Sequence, residues 1–195
     1  MHPDISQLPS RVFYKGRLQD GPGMASKAAR PWHTSTLFGT YKFFNIVRGQ
    51  ESPGSSHSLI NKAEVQVAIS LYDRLVKEFS SVDFNFRVGV VSMYRAQILE
   101  LRRAFESRFG VDITSQVDFN TVDGFQGQEK DIIILSCVRA GPGLQNVGFL
   151  SGASHTFVWC AWLRSSRCST NERRVDPCTS LTLHIRALSY PRAQR

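Results

Sequence analysis

No apolar run in these 195 residues approaches the length a bilayer-spanning helix needs, and no basic then apolar amino-terminal segment marks the chain for secretion. The expectation is an intracellular chain with no membrane partner. Cysteine is scarce: Cys137, Cys160, Cys168 and Cys178 are the four, and no two have the two-residue separation of a zinc knuckle. That spacing argues against a metal site, and Cys137, inside an apolar run, reads as a buried thiol. Also missing is the GxxxxGK-Ser/Thr loop that cradles phosphates in many nucleotide hydrolases, and no apolar run ends in a convincing pair of magnesium-binding acids. Lysine is absent from residues 151–195, although that stretch holds seven arginines.

The chain has length for one well-packed domain and too little for two large ones. Its formal charge of +8 makes nucleic acid a permissible partner, because a basic surface attracts phosphate at long range. Residues 1–150 carry 17 Lys and Arg against 14 Asp and Glu, so most of the excess sits in the last 45 residues.

Along the chain, residues 1–36 read as an irregular, extended segment, with little periodicity and several early prolines and glycines. Lys42–Val47 is a short strand candidate, and Arg48–Ser58 a polar, turn-rich loop. Val65, Ala68, Ile69, Tyr72, Leu75, Val76 and Phe79 then recur at helical spacing, with Asn61 as amino-terminal cap and Glu64 three positions on. Arg87–Met93 is β-branched and almost continuously apolar, as a strand covered on both faces should be. A second helix is expected from about Arg95 to Phe109, with Gly110 able to end it. Val117–Val122 and Asp131–Val138 complete the strand candidates. Strands alternating with helices indicate a layered α/β sheet. Residues 151–195 show no sustained period, though HTFVWCAWL has the composition of one strand.

In a parallel α/β sheet, ligands gather at the carboxyl ends of the strands. SMYRAQ, Ser92–Gln97, follows one strand and opens a helix; Thr121–Lys130 joins another to the next apolar run. The Ser92 hydroxyl can hold a phosphate oxygen or serve as a helix cap. Tyr94 can stack on a base or pack at a layer boundary. Gly124 and Gly127 permit tight backbone near phosphates or simply form a turn. Glu129 can receive ribose hydroxyls or pair with Lys130 or Arg103.

The segment TVDGFQGQEKDIIILSCVRA resembles motif V of the superfamily 1 RNA/DNA helicases, in the Upf1-like branch that contains Sen1 and senataxin. MHPDISQLPSRVFYKGRLQDG resembles the segment of that family beginning Arg-Met-His-Pro, and VGVVSMYRAQ its strand followed by a Thr/Ser-Pro-Tyr-x-x-Gln turn. The resemblance covers residues 1–150 and implies a partial second RecA-like domain: a three-layer α/β fold with a mostly parallel sheet, incomplete at both ends, followed by a divergent basic tail at 151–195. It further implies nucleotide contacts from Gly127 and Glu129, coupling through Gln126, and nucleic-acid contacts from Ser92, Tyr94 and Thr121. Met93 replaces the usual proline of the turn. The complete parent would use ATP and Mg2+, bind single-stranded RNA or DNA, pair this domain with a first RecA-like domain and work in the nucleus.

After Leu150 the family pattern stops, where a motif VI with phosphate-contacting arginines is expected. A change of reading frame or splice choice near Ser151 is the expectation this raises, with Met1 an internal methionine of a longer protein. A monomer without ATPase or helicase activity of its own follows. The alternative is a non-catalytic nucleic-acid-binding or protein-interaction module that uses Arg164, Arg167, Arg173 and Arg174.

Overall fold

A computed structural model describes residues 2–46, 48–126, 128, 130–140 and 181–186. Five parallel strands form its main sheet: β1 (Tyr41–Asn45), β4 (Val88–Ser92), β5 (Val117–Thr121), β6 (Ile132–Ser136) and β7 (Leu181–Arg186). Their order is β1-β7-β6-β4-β5, and every pairing is parallel. A separate antiparallel pair joins β2 (Ser52–Pro53), inside the segment expected to be loop, to β3 (Leu59–Ile60), just after it. The expected α/β architecture is thus the observed one.

Two long helices cross between parallel strands. Helix α3 (Lys62–Glu78) links β3 to β4, and α4 (Arg95–Phe109) links β4 to β5. The step from β1 to β4 and the step from β4 to β5 run the same way across the sheet. A common hand of crossover therefore puts both helices on one face. Val65, Ala68, Ile69, Tyr72 and Leu75 of α3 join Ile98, Leu101 and Phe105 of α4 in one core with Val88, Val90, Ile132 and Ile134. Each fully buried large apolar side chain contributes about 1.5–3 kcal/mol. Asn61 caps α3 as its sequence predicts, its side chain accepting the Glu64 N–H. Gly110, φ +94°, follows the last turn of α4.

The alternate residues of the central strands face the other way. Val91, Ile133 and Leu135 pack there against Phe125, which is fully buried. The connection from β5 to β6 steps back across β4, so the same hand of crossover carries it over this second face.

Two expectations are corrected. The first segment is not irregular: α1 (Pro3–Tyr14) starts at a His2 cap with Pro3 in its first turn and retains Pro9 inside it. Ile5, Ser6, Pro9 and Ser10 form its buried side. Two serines on the inward face hide the apolar period, and tertiary contacts satisfy them: Ser6 Oγ donates to Asp20 and Ser10 Oγ to the Leu18 carbonyl. Helix α2 (Met24–Lys27) and a 3-10 turn at Pro31–Thr34 follow, with Trp32 fully buried. In the second correction, Leu181–Arg186 is a central strand of the sheet, between β1 and β6. HTFVWCAWL lies outside the described residues.

Candidate functional site

Parallel register brings three strand ends level. Ser92 of β4 stands opposite Thr121 of β5 on one side and Ser136 of β6 on the other. Each is the last residue of its strand, so the segments after them share the carboxyl edge of the sheet.

Ser92 is fully buried, and its hydroxyl accepts the Tyr94 N–H at 3.3 Å. The bond closes a short turn onto Tyr94, the residue before the first turn of α4, and does not cap the helix itself. Tyr94 is itself buried and sits at the cap position of α4. Burial pushes its phenol above the usual value, and the facing Arg139 guanidinium draws it back down. Thr121 is half-buried and its Oγ1 accepts the Gly124 N–H at 3.3 Å. Asn120 completes this turn: its Oδ1 accepts the Thr121 N–H at 2.9 Å and its Nδ2 donates to the Gly124 carbonyl at 2.8 Å. A Cβ on Gly124 would lie 2.3 Å from Asn120 Oδ1, so the tight turn requires glycine by close approach.

From here the motif segment travels. Phe125 dives into the second face of the sheet, Gln126 is exposed, and Lys130 and Asp131 lie before β6, at the opposite, amino edge. Lys130 pairs with Asp118, and Arg87 and Arg30 both pair with Asp131. Thr121 and Asp131 thus stand at opposite edges of the sheet, a height of about 16 Å apart for five-residue strands. Gly127 and Glu129 lie outside the described residues.

Beneath the carboxyl edge is a polar cluster that the sequence reading missed. Asn61, Glu64, Gln97 and Ser136 are each fully buried. Glu64 Oε2 accepts Ser136 Oγ–H at 2.6 Å and the Val138 N–H at 3.0 Å, while Asn61 Nδ2 donates to Glu64 Oε1 and to the Val138 carbonyl. Gln97 Nε2 donates to Ser136 Oγ and to the Asn61 carbonyl, and its Oε1 accepts the Asn61 N–H. These bonds fasten the starts of α3 and α4 to the end of β6. The Asn61–Glu64 spacing signalled only a helix cap, and Gln97 only a motif position. Their meeting at Ser136 spans 72 residues of chain.

Past the cluster, Val138 has φ +68° and Arg139 N–H donates to the Cys137 carbonyl at 2.7 Å, a γ-turn with positive φ. For a β-branched residue such backbone costs on the order of 1–3 kcal/mol and persists only where its surroundings fix it. Asn61 and Glu64 do so here by holding both polar groups of Val138. Cys137 is half-buried at the margin of the apolar cluster around Phe125, more accessible than expected for a core thiol. Among the described residues, no group of three or more His, Cys, Asp or Glu side chains could hold a metal ion, and no helix is long and apolar enough to cross a membrane.

Comparison with known proteins matches residues 1–159 to a family model described as an AAA domain. Helicase SEN1 of Saccharomyces cerevisiae is 49% identical over 152 residues, 77% of this chain and 7% of that protein. Helicase sen1 of Schizosaccharomyces pombe is 46% identical over 166 residues, 85% of this chain and 10% of that protein. A regulator of nonsense transcripts 1 homolog of Drosophila melanogaster is 32% identical over 157 residues, 77% of this chain and 13% of that protein. The chain thus spans a small part of the length of each of these relatives.

Proposed function

Because this chain belongs to the AAA domain family, in its Sen1- and Upf1-like helicase branch, we propose that it supplies the second RecA-like half of an ATP-dependent RNA/DNA helicase and is inactive by itself. The observation that carries this reading is the path of the motif segment. Its first residue, Thr121, ends β5 at the carboxyl edge, while Lys130 and Asp131 precede β6 at the amino edge. One segment can then serve two ligands: a single strand of RNA or DNA through Thr121, and a nucleotide through Gly127 and Glu129. Gln126, exposed just after the Thr121–Gly124 turn, would relay one to the other.

Ser92 and Tyr94 serve the strand-binding edge from below, by fixing the turn into α4. Thr121 and the exposed main chain beside it contact the nucleic acid. Bound ATP supplies phosphoryl-transfer free energy, which in the parent opens and closes a cleft between two domains. That chemistry needs groups placed on both sides of the phosphates. In the complete parent, Mg2+ would arrive with the nucleotide and be held by the first domain. Nuclear residence and a partner first domain are parts of the same proposal. Residues 1–150 are the partial RecA-like unit, and 151–195 the divergent segment, which includes the strand Leu181–Arg186.

The test uses the purified chain. We expect salt-sensitive binding to a 15-nucleotide oligouridylate or oligothymidylate, weakened by Thr121→Ala, and no ATP turnover with Mg2+. Magnesium-dependent turnover that Glu129→Ala abolishes would overturn the half-site reading.

A further inference from the structure

We propose that Arg139 is a phosphate-contacting residue for the bound single strand, and that Glu51 holds its guanidinium until the strand arrives. The inference rests on the nucleic-acid role proposed above and assigns a residue that the motif comparison leaves without one.

A chain leaving β6 would ordinarily continue extended, but here Val138, a β-branched residue, is held at φ +68° with its N–H on Glu64 and its carbonyl on Asn61. Its side chain is fully buried. The effect of this expensive turn is to redirect the next residue across the carboxyl edge. Arg139 stands there facing Tyr94, whose segment follows β4, while Thr121 ends β5. Three adjacent strands thereby each place one side chain at a single edge. Backbone strain of this kind collects where a functional group must be aimed.

The ion pair that now holds Arg139 is built to be exchanged. Arg139 Nε lies 2.9 Å from Glu51 Oε2, and the two side chains are 20% and 23% exposed. Glu51 Oε2 also accepts the Ala140 N–H at 3.2 Å, and the Glu51 N–H donates to the Ala140 carbonyl at 2.9 Å. When the guanidinium turns to a phosphate, the Glu51 carboxylate keeps this backbone donor and part of its hydration. No buried charge is orphaned, so the exchange avoids the penalty that breaking a dry ion pair carries. The planar guanidinium suits a phosphate as well as it suits the carboxylate it leaves.

Binding of the full chain to labelled 15-nucleotide oligouridylate, followed by anisotropy across a salt series, tests this. Arg139→Ala should weaken binding about tenfold and reduce the slope of log affinity against log salt by about one. Arg139→Lys should keep the slope and lose only part of the affinity. Glu51→Gln should tighten binding about threefold by removing the competing carboxylate, and should have no effect once Arg139 is Ala. A structural role alone would move the unfolding midpoint in both single variants without changing the salt slope. An unchanged slope in Arg139→Ala, or weaker binding by a folded Glu51→Gln chain, overturns the inference while binding that still depends on Thr121 leaves the nucleic-acid proposal standing. Absence of any binding by the wild-type chain overturns both.

Discussion

Phe125 lies directly on Gly89: a Cβ built on that glycine would fall 2.6 Å from Phe125 Cζ and 3.0 Å from Ile133 Cδ1. The motif segment is therefore anchored to β4 by an aromatic ring that occupies the space a side chain would take. Gly89 is a glycine for packing, since no positive φ demands one there.

Gly89→Ala should destabilise the fold by about 1–3 kcal/mol, because the ring is fully buried and has little room to retreat. Phe125→Leu in the same chain should restore part of the loss, as the smaller side chain yields space to the new methyl. Denaturant unfolding of the two single variants and the double variant measures the coupling. Additive losses would contradict direct contact.

Gly124 makes a separate prediction at the exposed turn. Its Cβ would strike Asn120 Oδ1, so Gly124→Ala should open the Thr121–Gly124 turn and weaken strand binding by more than it lowers stability. Asn120→Ala should do the same by releasing the Gly124 carbonyl, at a stability cost of about 1 kcal/mol. Paired melting and oligonucleotide titrations check the ratio of the two effects.

His33 gives the chain a pH signature. Burial first, then the nearby charges of His2 and Arg30, lower its pKa from 6.5 to about 4. Between those values the unfolded chain binds more protons than the folded one, so stability rises with pH. The contribution is present above about pH 6.5 and is lost as pH falls through 4. His33→Gln should flatten this part of the stability profile. His2→Gln should raise the His33 titration midpoint, read from its ring resonances by NMR, because a repelling charge has gone. His33 is partly exposed, so the slope will be shallow.

Much of this architecture is legible in the order of residues. The apolar period from Val65, the cap at Asn61 and the glycine at 110 locate α3 and α4 almost to the residue, because helices this long are governed by local spacing. Val88–Ser92 and Ile132–Ser136 announce themselves as continuous apolar runs, as strands covered on both faces do. Helix α1 escapes notice because serines stand on its buried side and a proline lies inside it. Leu181–Arg186 does show alternation, in Leu181, Leu183 and Ile185, but its six residues lie in a stretch otherwise without pattern.

By itself, then, the sequence determined the α/β class, the two main helices, the central strands and the helicase resemblance of Thr121–Cys137, since all of these rest on local period and motif. Only the tertiary structure decided that Gly89 receives Phe125 and that Glu64 meets Ser136 and Val138. Those outcomes depend on strand order and crossover hand, which bring distant residues into contact. Arg139 shows the difference most plainly: its place beside Tyr94 and Glu51 follows from one strained turn that no local pattern announces.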